Sequence, residues 1–263
     1  MLKRLFLCCL TGSLALVPLQ AMAGAFRVIP TQITLEAQAK TGTVKVINTG
    51  DEKVTIQVEG MGWRQDAEGR DEYDTTQELV FFPKIFSMAA NEERIVRIGY
   101  QGEWPLREKT YRIYLQELPV AKPGETVIKM VLRLGVPVFI RPVKATQGNT
   151  VEIERVALSG AQLLVQIKNN GNSHMIVRTI KASGVDGSGA EVFSQEMAGW
   201  YVLPGVSKPF LLAIPTEQCL KAKAIQVAVE GGQPNLGATV DIDKARCAQP
   251  PERSNEPAKE GNR

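Results

Sequence analysis

Gly42-Thr43-Val44-Lys45-Val46-Ile47 runs into Asn48-Thr49-Gly50, and after three polar residues comes Val54-Thr55-Ile56-Gln57-Val58. The reading of this stretch decides the fold class. In an extended chain, side chains two apart share a face. Val44 and Val46 therefore point one way, and Thr43 and Lys45 the other. Asn-Thr-Gly between two such runs is turn chemistry. The stretch reads as strand, turn, strand.

Further period-2 runs lie at 94–98, 111–115, 127–134 and 163–168, rich in the β-branched residues that suit a pleated surface. No amphipathic helix of ten or more residues is legible. A faint echo of the first motif occurs where one strand-like run ends in Asn169-Asn170-Gly171 and another follows. Short strands with turn chemistry between them predict an all-β chain of sandwiches. At about 100 residues per sandwich, two are expected, over residues 24–142 and 143–247. Arg141-Pro142-Val143-Lys144 is the junction, because proline cannot continue a central strand. Residues 248–263 hold Pro250, Pro251 and Pro257, many charges and no large apolar side chain, and are expected to be a disordered tail.

The first 23 residues read as an address. Lys3-Arg4 precede an apolar run that closes on Ala21-Met22-Ala23. A basic head, an apolar stretch of under about 15 residues and an A-x-A site describe a secretory signal peptide cut near Ala23. A membrane anchor would need about 20 apolar residues; an exported chain with no direct membrane insertion is expected. Cys8 and Cys9 leave with the leader. Cys219 and Cys247 remain, and two cysteines in an oxidising compartment are expected to pair.

Of the 263 residues, 44% are hydrophobic, 22% charged and 6% aromatic, which excludes a wholly disordered chain or a coiled coil. The formal charge is only +3 and falls further once Lys3 and Arg4 are removed, so no nucleic-acid partner is expected. There is no Gly-x-Ser-x-Gly elbow, no phosphate loop and no His-Glu-x-x-His. A single histidine, His174, leaves little for a metal or a histidine relay, and it reads as a satisfied or surface residue. Asp186-Gly187-Ser188-Gly189 has calcium-loop composition without the later acidic ligands, and reads as a β-turn. Trp63, Trp104 and Trp200 are scattered, which argues against a glycan platform. No enzyme, cofactor or metal is expected; a binding protein is.

Residues 127–142 read VIKMVLRLGVPVFIRP. Ile128, Met130, Leu132 and Leu134 share one face. Such a row is either half of a core or the apolar side of an edge strand lent to another chain, and pattern alone leaves both open.

Phe81-Phe82-Pro83-Lys84, Arg94-Ile95-Val96-Arg97-Ile98, Glu108-Lys109-Thr110-Tyr111-Arg112, Gln116-Glu117-Leu118-Pro119 and Val136-Pro137-Val138-Phe139-Ile140-Arg141-Pro142 occur in that order. In this order and spacing the chain resembles the periplasmic chaperones of the chaperone–usher pathway for pili and fimbriae. The resemblance implies two immunoglobulin-like sandwiches set at an angle with a cleft between them. It also implies a periplasmic location, pilus subunits as clients and an outer-membrane usher as recipient. The donor strand is then 127–134, with Ile128, Met130, Leu132 and Leu134 as its inserting row. An inter-domain network of Glu108, Arg141 and Glu230 follows from the same resemblance. A donor edge left open predicts a self-capping dimer when no client is present. The alternatives weighed are a fibre subunit and an exported glycan-binding sandwich.

Two positions depart from the family. Where it places an Arg in the first strand and a Lys late in the donor strand to hold the subunit's terminal carboxylate, this chain has Gln32 and Pro137. Neither carries charge. Arg112 is the substitute anchor, since a guanidinium grips a carboxylate with two parallel hydrogen bonds, and the departure points to an archaic-type branch.

Overall fold

The computed structural model describes residues 26–119, 131–146, 150–160, 162–231 and 235–248. The expected leader at 1–23 and all of the expected tail except Ala248 lie outside the described residues.

The chain folds as two β-sandwiches. The first contains, in order, β1 (Phe26–Ile29), β2 (Ile33–Leu35), β3 (Thr41–Asn48), β4 (Val54–Gln65), β5 (Asp71–Thr75), β6 (Leu79–Phe82), β7 (Ile85–Met88), β8 (Glu93–Tyr100), β9 (Lys109–Glu117) and β10 (Arg133–Ile140). One sheet has the order β1-β3-β8-β6; the other runs β2-β10-β9-β4-β5, with β7 also on β4. The alternation read from the sequence sets their inner faces. Val44, Val46, Val54, Ile56 and Val58 pack with Val96, Ile98, Ile113 and Leu115 in one core. Burying each such side chain stabilises the fold by roughly 1.5–3 kcal/mol before entropy is subtracted.

The second sandwich contains β11 (Val151–Ser159), β12 (Gln162–Asn169), β13 (Met175–Ile176), β14 (Thr179–Val185), β15 (Glu191–Ala198), β16 (Tyr201–Val202), β17 (Ser207–Ala213), β18 (Ala224–Glu230) and β19 (Leu236–Asp241). Its sheets are β11-β12-β17 and β15-β14-β18-β19, with β13 and β16 as a short pair. Two short helices, α1 (Thr216–Lys221) and α2 (Lys244–Cys247), each bury one cysteine. Cys219 and Cys247 form a disulfide with Cα atoms 5.8 Å apart. The Asp186 turn links β14 to β15, and its carboxylate Oδ1 accepts the N–H groups of Ser188 and Ala190. That side chain is occupied in holding the turn.

The strand read at 127–134 differs in extent. Among the described residues it starts at Arg133 and passes through Pro137 to Ile140. Val136, Val138 and Ile140 join the first core, while Phe139 points the other way into a small cluster with Trp63 and Leu203. Pro137 is tolerated because pairing with β2 begins only at Val138, so an N–H is not needed there.

Candidate functional site

β10 is unevenly covered. On one side it pairs antiparallel with β9 along its whole length, from Arg133 opposite Gln116 to Ile140 opposite Lys109. On the other, β2 pairs parallel with Val138, Phe139 and Ile140 only. Among the described residues, nothing pairs with that second edge at 133–137. Leu132 and Leu134 are partly buried against the first core, while Arg133 and Gly135 are exposed. Ile128 and Met130 lie outside the described residues.

Arg112 stands directly across from Pro137 in the β9–β10 register and across from Met61 on β4. Its guanidinium lies 4.5 Å from the ring centre of Trp63, 5.2 Å from that of Trp200 and 5.5 Å from that of Tyr73. Trp63 and Tyr73 are cross-strand partners on β4 and β5, whereas Trp200 comes from the second sandwich. Arg112 Nε is buried and has no hydrogen-bond partner, and no ion pair forms to this arginine among the described residues. Burial pushes the Tyr73 and Tyr201 hydroxyls up from their ordinary range, and the Arg112 cation pulls both the other way. Arg112 is thus a half-buried cation with no counter-ion among the described residues, a position that an incoming anion could fill.

Trp63 and Trp200, far apart in sequence, thus meet on one cation. Trp63 is 3% exposed, so the group is a housing for Arg112 and not an open stacking platform for sugars. Gln32 lies beside the Tyr201 hydroxyl at 3.5 Å. Gln32 and Pro137, the two positions expected to lack the family's charges, therefore both flank this cluster.

The junction is held by contacts that sequence reasoning missed. The hairpin of β4 and β5 reaches across: Gln65 Nε2 donates to Tyr201 O and its Oε1 accepts from Leu203 N–H, both at 2.9 Å. Trp200 Nε1 donates to Asp71 Oδ2 at 2.7 Å, and Lys208 Nζ donates to Gly69 O. Gly69 has φ +73°, and a Cβ there would meet Lys208 Cα at 2.9 Å, so glycine is required by both backbone and space.

The network of Glu108, Arg141 and Glu230 does not form. Glu108 is buried and bonded to His174. Arg141 pairs with Glu36 at 2.7 Å on the surface. Glu230 lends its backbone carbonyl to Arg178 N–H; no ion pair joins the three among the described residues. Glu108 sits at the junction, where its partner is the one histidine, which the second sandwich presents just after its turn.

Residues 25–146 match the family model described as pili and flagellar-assembly chaperone, PapD N-terminal domain. No curated protein sequence matches. Among solved structures, a chain of the CsuC–CsuE chaperone–tip adhesion subunit pre-assembly complex, from the archaic Csu pili of Acinetobacter baumannii, is 20% identical with TM-score 0.54. That alignment covers 82% of this chain and 98% of that one. The YadV chaperone is 13% identical with TM-score 0.56, over 83% of this chain and 100% of that one. The Salmonella enterica SafA pilin–SafB chaperone complex is 16% identical with TM-score 0.51, over 82% and 96%. At these identities the likeness is one of fold.

Proposed function

We propose, from the match of residues 25–146 to the pili and flagellar-assembly chaperone model, that this protein is a periplasmic chaperone that binds pilus subunits by lending them an edge strand. The observation that carries the reading is the edge of β10 at 133–137, which pairs with nothing among the described residues, beside an Arg112 that forms no ion pair among them. The similar complexes from Acinetobacter and Salmonella pair a chaperone with a subunit or pilin.

The open edge offers backbone N–H and C=O groups to an incomplete subunit, and the row of Leu132 and Leu134 offers side chains. Ile128 and Met130 extend that row by sequence parity. A fully buried aliphatic side chain contributes roughly 1.5–3 kcal/mol gross. Leu132 and Leu134 already lean on their own core and gain less, and ordering costs reduce the sum further. The ladder also covers a subunit edge that is otherwise a template for aggregation. Arg112 takes the subunit's terminal carboxylate, replacing the charges absent at Gln32 and Pro137. No bond is made or broken. The leader directs export and is cut near Ala23, the loaded subunit passes to an outer-membrane usher, and without a client two copies cap each other's open edges. Residues 24–142 form the donor domain, 143–247 the second domain and 248–263 the tail.

The test is recovery of periplasmic partners on the tagged full chain, wild type against Met130→Asp with Leu132→Asp. A small exported β-sandwich subunit held by the wild type and lost from a folded double variant is the expected result. Equal recovery by both, or an unfolded variant showing the strand to be core, overturns the assignment.

A further inference from the structure

We propose that Trp200, fixed by Asp71, is a positioning residue for Arg112, so that the second sandwich completes the anchor carried by the first. The inference rests on the reading of Arg112 as the carboxylate anchor. Two walls of the Arg112 housing, Trp63 and Tyr73, come from its own sheet, and Trp200 supplies the third from across the junction. Trp200 is 39% exposed, so burial alone does not fix its ring. What fixes it is the bond from its Nε1–H to Asp71 Oδ2.

Asp71 is an acid within this cluster, yet it does not neutralise Arg112. Its Oδ2 takes the indole N–H and, at 3.4 Å, the Tyr73 hydroxyl, and its Oδ1 takes Gln65 Nε2 at 2.9 Å. All three are neutral donors. Gln65 is in turn tied to Tyr201 O and Leu203 N–H. The carboxylate is thus spent on docking the second sandwich and on holding the indole, and among the described residues it makes no ion pair with the guanidinium, whose Nε has no partner there. Rings stacked on a guanidinium set its plane, and a planar fork meets a carboxylate well in only one orientation. Removing Trp200 leaves the charge in place and frees the plane to turn.

The probe is the C-terminal peptide of a subunit recovered as described above, made both as the free acid and as the amide, and bound to the full chain. The quantity read is the ratio of the two affinities. Trp200→Ala is expected to lower this acid-to-amide preference about tenfold while the amide binds as it does to the wild type. Trp200→Phe, which keeps a ring and the fold but loses the indole N–H, is expected to fall between. Equal weakening of acid and amide by Trp200→Ala marks a merely structural residue and overturns the inference. So does an unchanged preference in both Trp200 variants alongside its loss in Arg112→Ala, a result that leaves the anchor standing. If Arg112→Ala itself keeps the preference, the anchor reading fails and this inference with it.

Discussion

Glu108 Oε1 lies 2.7 Å from His174 Nδ1 and 2.9 Å from the His174 backbone N, so one oxygen of the first sandwich is bonded to both the ring and the backbone N–H of a residue in the second. The Glu108 side chain is 2% exposed. Since a carboxylate accepts, the ring donates from Nδ1. The same ring stacks on Phe139 with centroids 3.7 Å apart and planes 15° from parallel. Polar and apolar halves of the junction thus meet on one imidazole.

His174→Ala removes the ring donor and the stack but keeps the backbone bond. A buried acceptor short of a partner costs roughly 1–3 kcal/mol, and that loss is expected in urea unfolding, with a broader distribution of inter-domain distances in solution scattering. Unchanged values in both would show that the junction is held elsewhere.

Arg141→Ala is expected to do little. Its pair with Glu36 leaves the two side chains 60% and 46% exposed, and surface pairs contribute about 0–1 kcal/mol. Urea midpoints of wild type and variant should nearly coincide; a loss beyond about 2 kcal/mol would reveal a role outside that pair.

What the sequence shows and hides follows from how each strand is covered. β3 and β4 have one buried and one wetter face, so their alternation is plain. The C-terminal half of β10 has Val136, Val138 and Ile140 in one core and Phe139 in another cluster, so the alternation vanishes and Pro137 looks like an end. In β18, Ile225, Val227 and Val229 do alternate inward, but interspersed alanines, poor strand formers, weaken the signal. Arg112 was legible as a stray cation in a family frame. Its rings, and the histidine on Glu108, were not, because contacts between residues so distant in sequence leave no period to read. The echo of Asn48 and Asn169 was legible because each opens the same Asn-x-Gly turn and accepts the glycine N–H.

Those two asparagines are the same device used twice. Asn48 is fully buried; its Nδ2 donates to Glu52 O and Ala89 O while its Oδ1 accepts Gly50 N–H. Asn169 is equally buried; its Nδ2 donates to Ser173 O and Val202 O while its Oδ1 accepts Gly171 N–H. Alanine at either site should cost about 2–3 kcal/mol through the stranded carbonyls. Aspartate, which offers those carbonyls no donor when ionised, should cost at least as much at neutral pH. Thermal unfolding of the four variants is the check, and a cost near zero would mean that water replaces the amide.

The disulfide makes a separable contribution. It joins α1 to α2 across 28 residues, closing the chain segment that carries β18 and β19. Loop entropy predicts a loss of about 3 kcal/mol on replacing both cysteines by alanine. The loss should fall on the second sandwich, read as earlier hydrogen exchange in β18 with β3 and β8 unaffected. Loss spread equally over both sandwiches would show that they unfold as one unit.

Acid should weaken the first sandwich through Glu78. Lys109 Nζ donates to Glu78 Oε1 at 2.5 Å and the Tyr111 hydroxyl donates to Oε2. The Lys109 hydrogen bond first, and then that from Tyr111, hold the Glu78 carboxyl below its ordinary value of 4.5 against the opposing effect of burial. Because the folded value lies below the unfolded one, the stabilisation is full above the unfolded value and is lost as pH falls through the folded one. Glu78→Gln abolishes the ionisation. The stability gap between wild type and Glu78→Gln should therefore be widest near pH 7 and shrink towards about pH 3, read as urea midpoints. The gap will be modest, since the Glu78 side chain is 39% exposed and solvent screens it. A gap that stays constant over this range would show that Glu78 acts through packing and that its charge contributes nothing.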